Sequence, residues 1–569
     1  MTKHADIRAS LWGDNALPLR PPSQVMNLER LGSLHQSRLS FMRTLVRRIF
    51  RERWKIELVT FELNNDGFGT VVYEVNAPDG LFSFVLFSDL LLPEERNDRV
   101  IATKWDLTMA LVEGRVNPEY IAKLKENVPK QEAGRVDSRV FVLSRANRSA
   151  RNFDYVVNQL ATGQQPDVSK IAEVGYLYRT TAVYGSGKLG MADWEKVQQK
   201  HRDFARPFAS EMFVCFMLRN FSLLQVEHIA RHRNEQTFTP MRADIKRYFG
   251  IGNSTGLGMA PYLVNHPVLI NQWIEMRELA LARIRSLGAI TSQIKTTLLE
   301  LLKRCAQHTH ETITEDKQQT QHNIILAQEM NKLTEQVVTN FTSWNELIAF
   351  SEQHCSLQSQ EILVSVMLEL YPELVDDLED FHCADENLDL DPLMPLHQLK
   401  AVIERRYDWA LAIDFDAEGA RETYWYRSEE KMEPRLGSIA DVEGKKKAMA
   451  LAVGYAVRKC YNILVDYITA NPSQITARFM VAHPKLRGIV RRIQGMDRCV
   501  YGDIQANLLD KNVLPMHLLR CKLAFFGVSK FDPRSRLWVR NTMFQGAPLL
   551  EDIGKPFSDD WFMPLIPKQ

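Results

Sequence analysis

The stretch FGIGNSTGLGMAPYLVNHP, residues 249–267, gathers Gly250, Gly252, Gly256 and Gly258 around Asn253, Ser254 and Thr255 and closes on Asn265 and His266. Glycine lets a backbone reach positive φ and lets another atom approach closely. A loop with several uncommitted N–H groups forms an anion-binding concavity, and a helix starting at its far end adds a positive terminus. On this reading Gly252, Asn253, Ser254, Thr255 and Asn265 hold a carboxylate, a phosphate or a developing oxyanion. His266 is the candidate proton carrier, since an imidazole exchanges protons near neutral pH and the following Pro267 restricts its backbone to extended geometry. The bland alternative is a tight connection between helices, in which the glycines only permit close packing.

Three other stretches carry chemistry of the same kind. In YGSGKLGMADW, residues 184–194, glycines surround Lys188, an arrangement suited to meeting an anion. In SRANRSAR, residues 144–151, Arg145, Arg148 and Arg151 are three apart, and on a helix they would share one face and, with Asn147, clamp an anion. A solvated charged face is the competing account. In RETYWYRSEEKMEPR, residues 421–435, Arg427 is a candidate substrate anchor, and Glu429 and Glu430 are candidate acid–base groups beside alternating aromatics. A salt-bridged surface turn explains the same residues.

The weak metal candidate is the pair His228 and His232, at the i, i+4 spacing that places two imidazoles on one helical face. The sequence supplies no HExxH and no evident third ligand, so no metal is assigned. The 250–258 stretch has no Walker lysine and its glycine spacing is not the dinucleotide fingerprint, no kinase signature is present, and no cofactor is evident.

These residues need a scaffold, and 569 residues is enough for roughly three or four structural units. Lys plus Arg number 71 against 70 for Asp plus Glu, so no global field draws the chain to nucleic acid. HPKLRGIVRRIQGMDR, residues 483–498, is the one basic stretch that competes with this view. The seven cysteines are widely spaced with no CxxC pair, which points to reduced thiols rather than a disulfide framework. No signal peptide or membrane span is expected, and the localisation expected is cytoplasmic.

Hydrophobic periodicity predicts an α+β fold, predominantly helical, with a small N-terminal antiparallel β meander, a large helical body and a mixed C-terminal portion. KIELVTFEL (55–63), GTVVYEV (69–75) and LFSFVLFS (81–88) form the meander, with NNDG and APDG as its turns. The expected division is an extended arm (1–26), a helix and meander (27–135), a helical unit with both glycine-rich loops (136–308), a helical connector (309–390) and a mixed α/β unit (391–569). The function expected is an enzyme acting on a small carboxylate- or phosphate-bearing metabolite, of lyase, isomerase or transferase type. The alternative is a non-catalytic helical scaffold that binds a protein partner. Oligomeric state is not readable from these patterns.

Overall fold

The computed structural model describes residues 17–92, 105–130, 136–180, 200–256, 266–288, 290–381, 388–415, 425–428, 434–436, 445–448, 452–505, 520, 524–535 and 538–569. The chain divides into two compact units. A helical unit joins Met1–Leu34, Leu257–Leu287 and Asp377–Cys521, and a sheet unit joins His35–Gly256, Gly288–Asp376 and Lys522–Gln569. The fold is mixed α+β.

The sheet unit starts with the three strands expected from the sequence: β1 (Lys55–Leu63), β2 (Gly69–Asn76) and β3 (Leu81–Ser88). Their first turn is built by Asn64, whose side chain accepts from the backbone N–H groups of Asp66 and Phe68, and by Gly67 at φ 80°. β1 is an edge strand and its alternation leaves much of it exposed. β3 is buried along almost its whole length, as its continuous apolar run requires.

The sheet is larger than a meander. It continues through β4 (Leu107–Glu113), β5 (Val140–Arg148), β6 (Tyr176–Thr180) and β7 (Gly250–Gly256), and ends with a hairpin of β8 (Lys530–Ser535) and β9 (Trp538–Met543). The order is β1-β2-β3-β4-β5-β6-β7-β9-β8. Every neighbouring pair is antiparallel except β6 and β7, which run parallel. Two segments expected outside a sheet therefore belong to it. Residues 144–148 of SRANRSAR are strand because β4 and β6 pair with them on both sides, and GIGNSTG is strand because β6 and β9 flank it. Tertiary pairing overrides local preference in both.

One face of the sheet is covered by the helix Ala209–Arg233, buried over most of its length. Its Gln225 accepts from the Tyr178 hydroxyl of β6 at 2.9 Å and donates to the Gly67 carbonyl at 2.8 Å. Its Arg219 donates to the carbonyls of Phe249, Pro548, Arg247 and Ala547. Burial lowers the Arg219 pKa to about 9. The opposite face packs Val72, Val85, Ala110 and Leu143 against Leu124 and Val128, at the end of the helix Pro118–Asn127.

A second buried feature of this unit is ionic. Arg43 and Arg47 are fully buried and Arg38 nearly so, and they meet Glu369, Asp376 and Asp559. Arg43 reaches Glu369 and Asp559, each at 2.9 Å. Burial works against the Asp559 charge, but Arg43, Arg47 and Arg38 outweigh it and hold its pKa well below the usual carboxylate range. Glu369 is pushed the other way by burial.

The core of the helical unit lies among the helices Leu396–Arg406, Ala452–Ala470 and Arg487–Gly495, around Leu399, Ile403, Val457, Leu464 and Ile493. Within it the Tyr407 hydroxyl donates to the Asp503 carboxylate, which Arg492 Nε also reaches at 2.7 Å. Arg20 binds Glu278 through two hydrogen bonds of 2.7 Å. Three short strands, Trp425–Ser428, Pro434–Leu436 and Lys445–Ala448, form a separate antiparallel sheet. Among the described residues no helix is long and apolar enough to cross a membrane, and the five described cysteines are free thiols.

Candidate functional site

The parallel pair is where the sheet changes character. Thr180 of β6 registers with Asn253 of β7, so both strands end at the same end of the sheet. From Thr180 the chain continues into 181–199, which contains Lys188, and from Gly256 into 257–265, which contains Asn265. The two glycine-rich stretches therefore depart from adjacent parallel strands. In open sheets, the carboxyl ends of strands where connections diverge are the usual place for a ligand.

Polar side chains are buried at this end. Asn541 of β9 registers with Asn253, which registers with Thr180. Cross-strand partners share a face, so these three form one row. It is the face covered by the helix Ala209–Arg233, because Tyr178, two residues before Thr180, bonds to that helix. Asn253 Nδ2 donates to the Thr180 carbonyl at 3.0 Å, and Thr180 Oγ1 donates to the Arg145 carbonyl at 3.0 Å. Ser144 Oγ lies 3.4 Å from Thr180 Oγ1 and extends the row to β5. Asn253 and Asn541 are each 1% exposed. Among the described residues, Asn253 Oδ1 and both amide atoms of Asn541 have no hydrogen-bond partner. Buried amides in this state ask for a water or a ligand group.

The opposite face carries charge at the same level. Arg145 is buried, with its guanidinium 3.9 Å from the centre of the Trp105 ring. Burial lowers its pKa to about 10. Arg540 registers with Asp532 across the β8–β9 hairpin, their charged groups 3.8 Å apart, and Asp532 also accepts from the Thr314 hydroxyl at 2.8 Å.

The structure reassigns several residues singled out by sequence. Gly252, Asn253, Ser254 and Thr255 lie in β7, not in a loop, and their backbones register with β9, and for Gly252 and Asn253 also with β6. A strand between two ladders cannot also cradle an anion with its N–H groups. The early glycines are there for packing: a Cβ on Gly252 would come within 2.5 Å of the Tyr176 ring, and one on Gly250 within 2.3 Å of the Met543 carbonyl. The side chains of Ser254 and Thr255 lie outside the described residues, as do Lys188, Asn265, Glu429 and Glu430.

Arg145 and Arg148 do not form a clamp. Three residues apart on a strand, they point to opposite faces. Arg148 stacks on Phe153 at 4.3 Å and donates to the Tyr178 hydroxyl at 3.2 Å. Arg427 sits in the strand Trp425–Ser428, with its backbone registered to Lys446 and Pro434, and its side chain is outside the described residues. His266 is the half-buried N-cap residue of the helix Pro267–Arg285, in the helical unit.

His228 and His232 do share one helical face, with ring centroids 4.3 Å apart. His228 Nε2 lies 2.9 Å from the Asn64 carbonyl and His232 Nδ1 lies 2.9 Å from the His228 carbonyl, so one nitrogen of each ring serves the backbone. Among the described residues no group of three or more His, Cys, Asp or Glu side chains is arranged for a metal ion.

Sequence reading missed Asn541, Arg540, Asp532 and Trp105. The only signal was the polar content of the C-terminal run FDPRSRLWVRN, and nothing local ties that run to β7. No protein-family model, curated protein or solved structure matches this chain.

Proposed function

We propose that the chain is an enzyme that takes a small anionic metabolite at the end of the sheet where β6 and β7 finish. The observation that carries this reading is the buried asparagine pair Asn253 and Asn541, which among the described residues retains donor and acceptor capacity at the one parallel junction of the sheet. The amides hydrogen-bond the substrate, and Arg145 on its Trp105 platform contributes positive potential. Lys188, which follows β6 in the chain, adds charge in this reading.

The test is a thermal-shift screen of the full chain against small non-aromatic carboxylates and phosphates. A ligand that binds the native state at about 100 times its Kd adds about 2.7 kcal/mol of apparent stability. The expected result is a shift by one anion class that disappears in both Asn541→Leu and Asn253→Ala. No shift across the panel, or a shift that survives both substitutions, removes the reading. The packing role of Gly250 and Gly252 favours the rival, a non-catalytic scaffold for a protein partner, and that negative result is its prediction.

A further inference from the structure

The helical unit contains an open cleft of about 530 Å³ between the segment Leu411–Phe415 and the helix Ala452–Ala470. Tyr455, Arg458, Lys459 and Asn462 follow the i, i+3, i+4, i+7 pattern and so form one stripe of that helix facing the cleft. The volume lies within the range of about 300–1,000 Å³ typical of small-molecule sites.

Its two walls have different chemistry. Phe415 meets Tyr455 edge to face, with ring centroids 5.6 Å apart, and supplies an aromatic surface. Gly454 lies beside these rings: a Cβ there would come within 3.1 Å of Trp409, a tight contact, and within 3.4 Å of Phe415, an ordinary one. Beside the rings stand two cations, Arg458 and Lys459, against one carboxylate, Asp414. One guanidinium nitrogen of Arg458 donates to the Leu411 carbonyl, which ties the cation to the opposite wall. Its other nitrogens form no hydrogen bond among the described residues.

We infer that this cleft is a second ligand site, for a planar aromatic ring bearing a carboxylate or phosphate. The ring packs on Phe415 and Tyr455, the anion pairs with Arg458 and Lys459, and Asn462 hydrogen-bonds the ligand's polar edge. The site is independent of the asparagine pair in the sheet unit.

The experiment is calorimetric titration of the full chain with adenosine monophosphate and with 4-hydroxybenzoate, using as half-ligands adenosine and inorganic phosphate for the first and phenol and acetate for the second. At least one aromatic anion is expected to bind with Kd on the order of 1 mM or tighter. Each of its half-ligands is expected to bind about tenfold more weakly or not at all. Arg458→Met and Tyr455→Ala should each weaken binding about tenfold, and Asn541→Leu should leave it unchanged. Lys459→Gln, at an exposed position, supplies a variant that keeps the fold if either of the others does not. Absence of binding by both aromatic anions, or affinity unchanged in the folded cleft variants, overturns the inference.

Discussion

Arg43 and Arg47 on one side, Asn253 and Asn541 on the other, are equally buried in the sheet unit and differ in what surrounds them. The arginines meet carboxylates: Arg43 reaches Glu369 and Asp559, and Arg47 reaches Asp376 and Asp559. The asparagines sit side by side in register and still leave three amide atoms without a partner among the described residues. A closed polar network holds elements together, because opening any part of it strands a charge. An open one gains free energy when something enters. The first region is therefore the frame, and the second is the place to look for chemistry.

The sharpest break in this comparison is Arg43→Ala. Removing one partner of a buried ionic network leaves carboxylates uncompensated and costs about 3–5 kcal/mol. Urea unfolding measures it, and a loss below about 1 kcal/mol would show that the network is not the frame.

The acid limb comes next. Asp559 is held below its unfolded value of about 3.9 by the three arginines, so the native state binds fewer protons than the unfolded chain. Its contribution is complete above that unfolded value and is lost as pH falls through and below it. Glu369, pushed up by burial, contributes with the opposite sign: its share is present below its unfolded value of about 4.3 and is lost as pH rises through its folded value. Asp559→Asn should therefore flatten the fall in stability below about pH 4 as well as lower the plateau. An unchanged acid slope in this variant would deny Asp559 its role.

Gly252→Ala tests whether that glycine is there for packing. The new Cβ meets the Tyr176 ring, and overpacking of this kind costs about 1–3 kcal/mol. Tyr176→Leu in the same chain should recover part of the loss. Full stability in the single variant would return Gly252 to the list of ligand-facing positions.

The smallest effect is expected at the asparagines. Asn541→Leu removes uncommitted polar atoms, so stability should change by less than about 1 kcal/mol while binding of the non-aromatic anion disappears. A loss comparable to Arg43→Ala would place Asn541 in the frame, and the contrast between the two regions would fail.

Part of this was readable from the chain. KIELVTFEL, with its period of two, and LFSFVLFS, with its apolar run, became β1 and β3 with the expected bounds. The site was readable only in outline. Its polar type among glycines singles out Asn253, but for a loop it does not occupy. Spacing to Arg148 singles out Arg145, a relation that the strand cancels by sending the two to opposite faces. No local pattern singles out Asn541.

The sequence by itself determined the local periods, the NNDG turn, the apolar strands and the positions of the polar residues. Those follow from side-chain alternation and backbone preference over a few neighbours. Only the tertiary structure decided that GIGNSTG is a strand, that β6 and β7 run parallel, and that Asn541 lies beside Asn253. The Asn253 amide bonds to a carbonyl 73 residues earlier in the chain, and its other neighbour comes from the C-terminal hairpin. Strand pairing at such separations is set by burial of whole faces against the helix Ala209–Arg233 and the other strands. No window of local sequence contains that information.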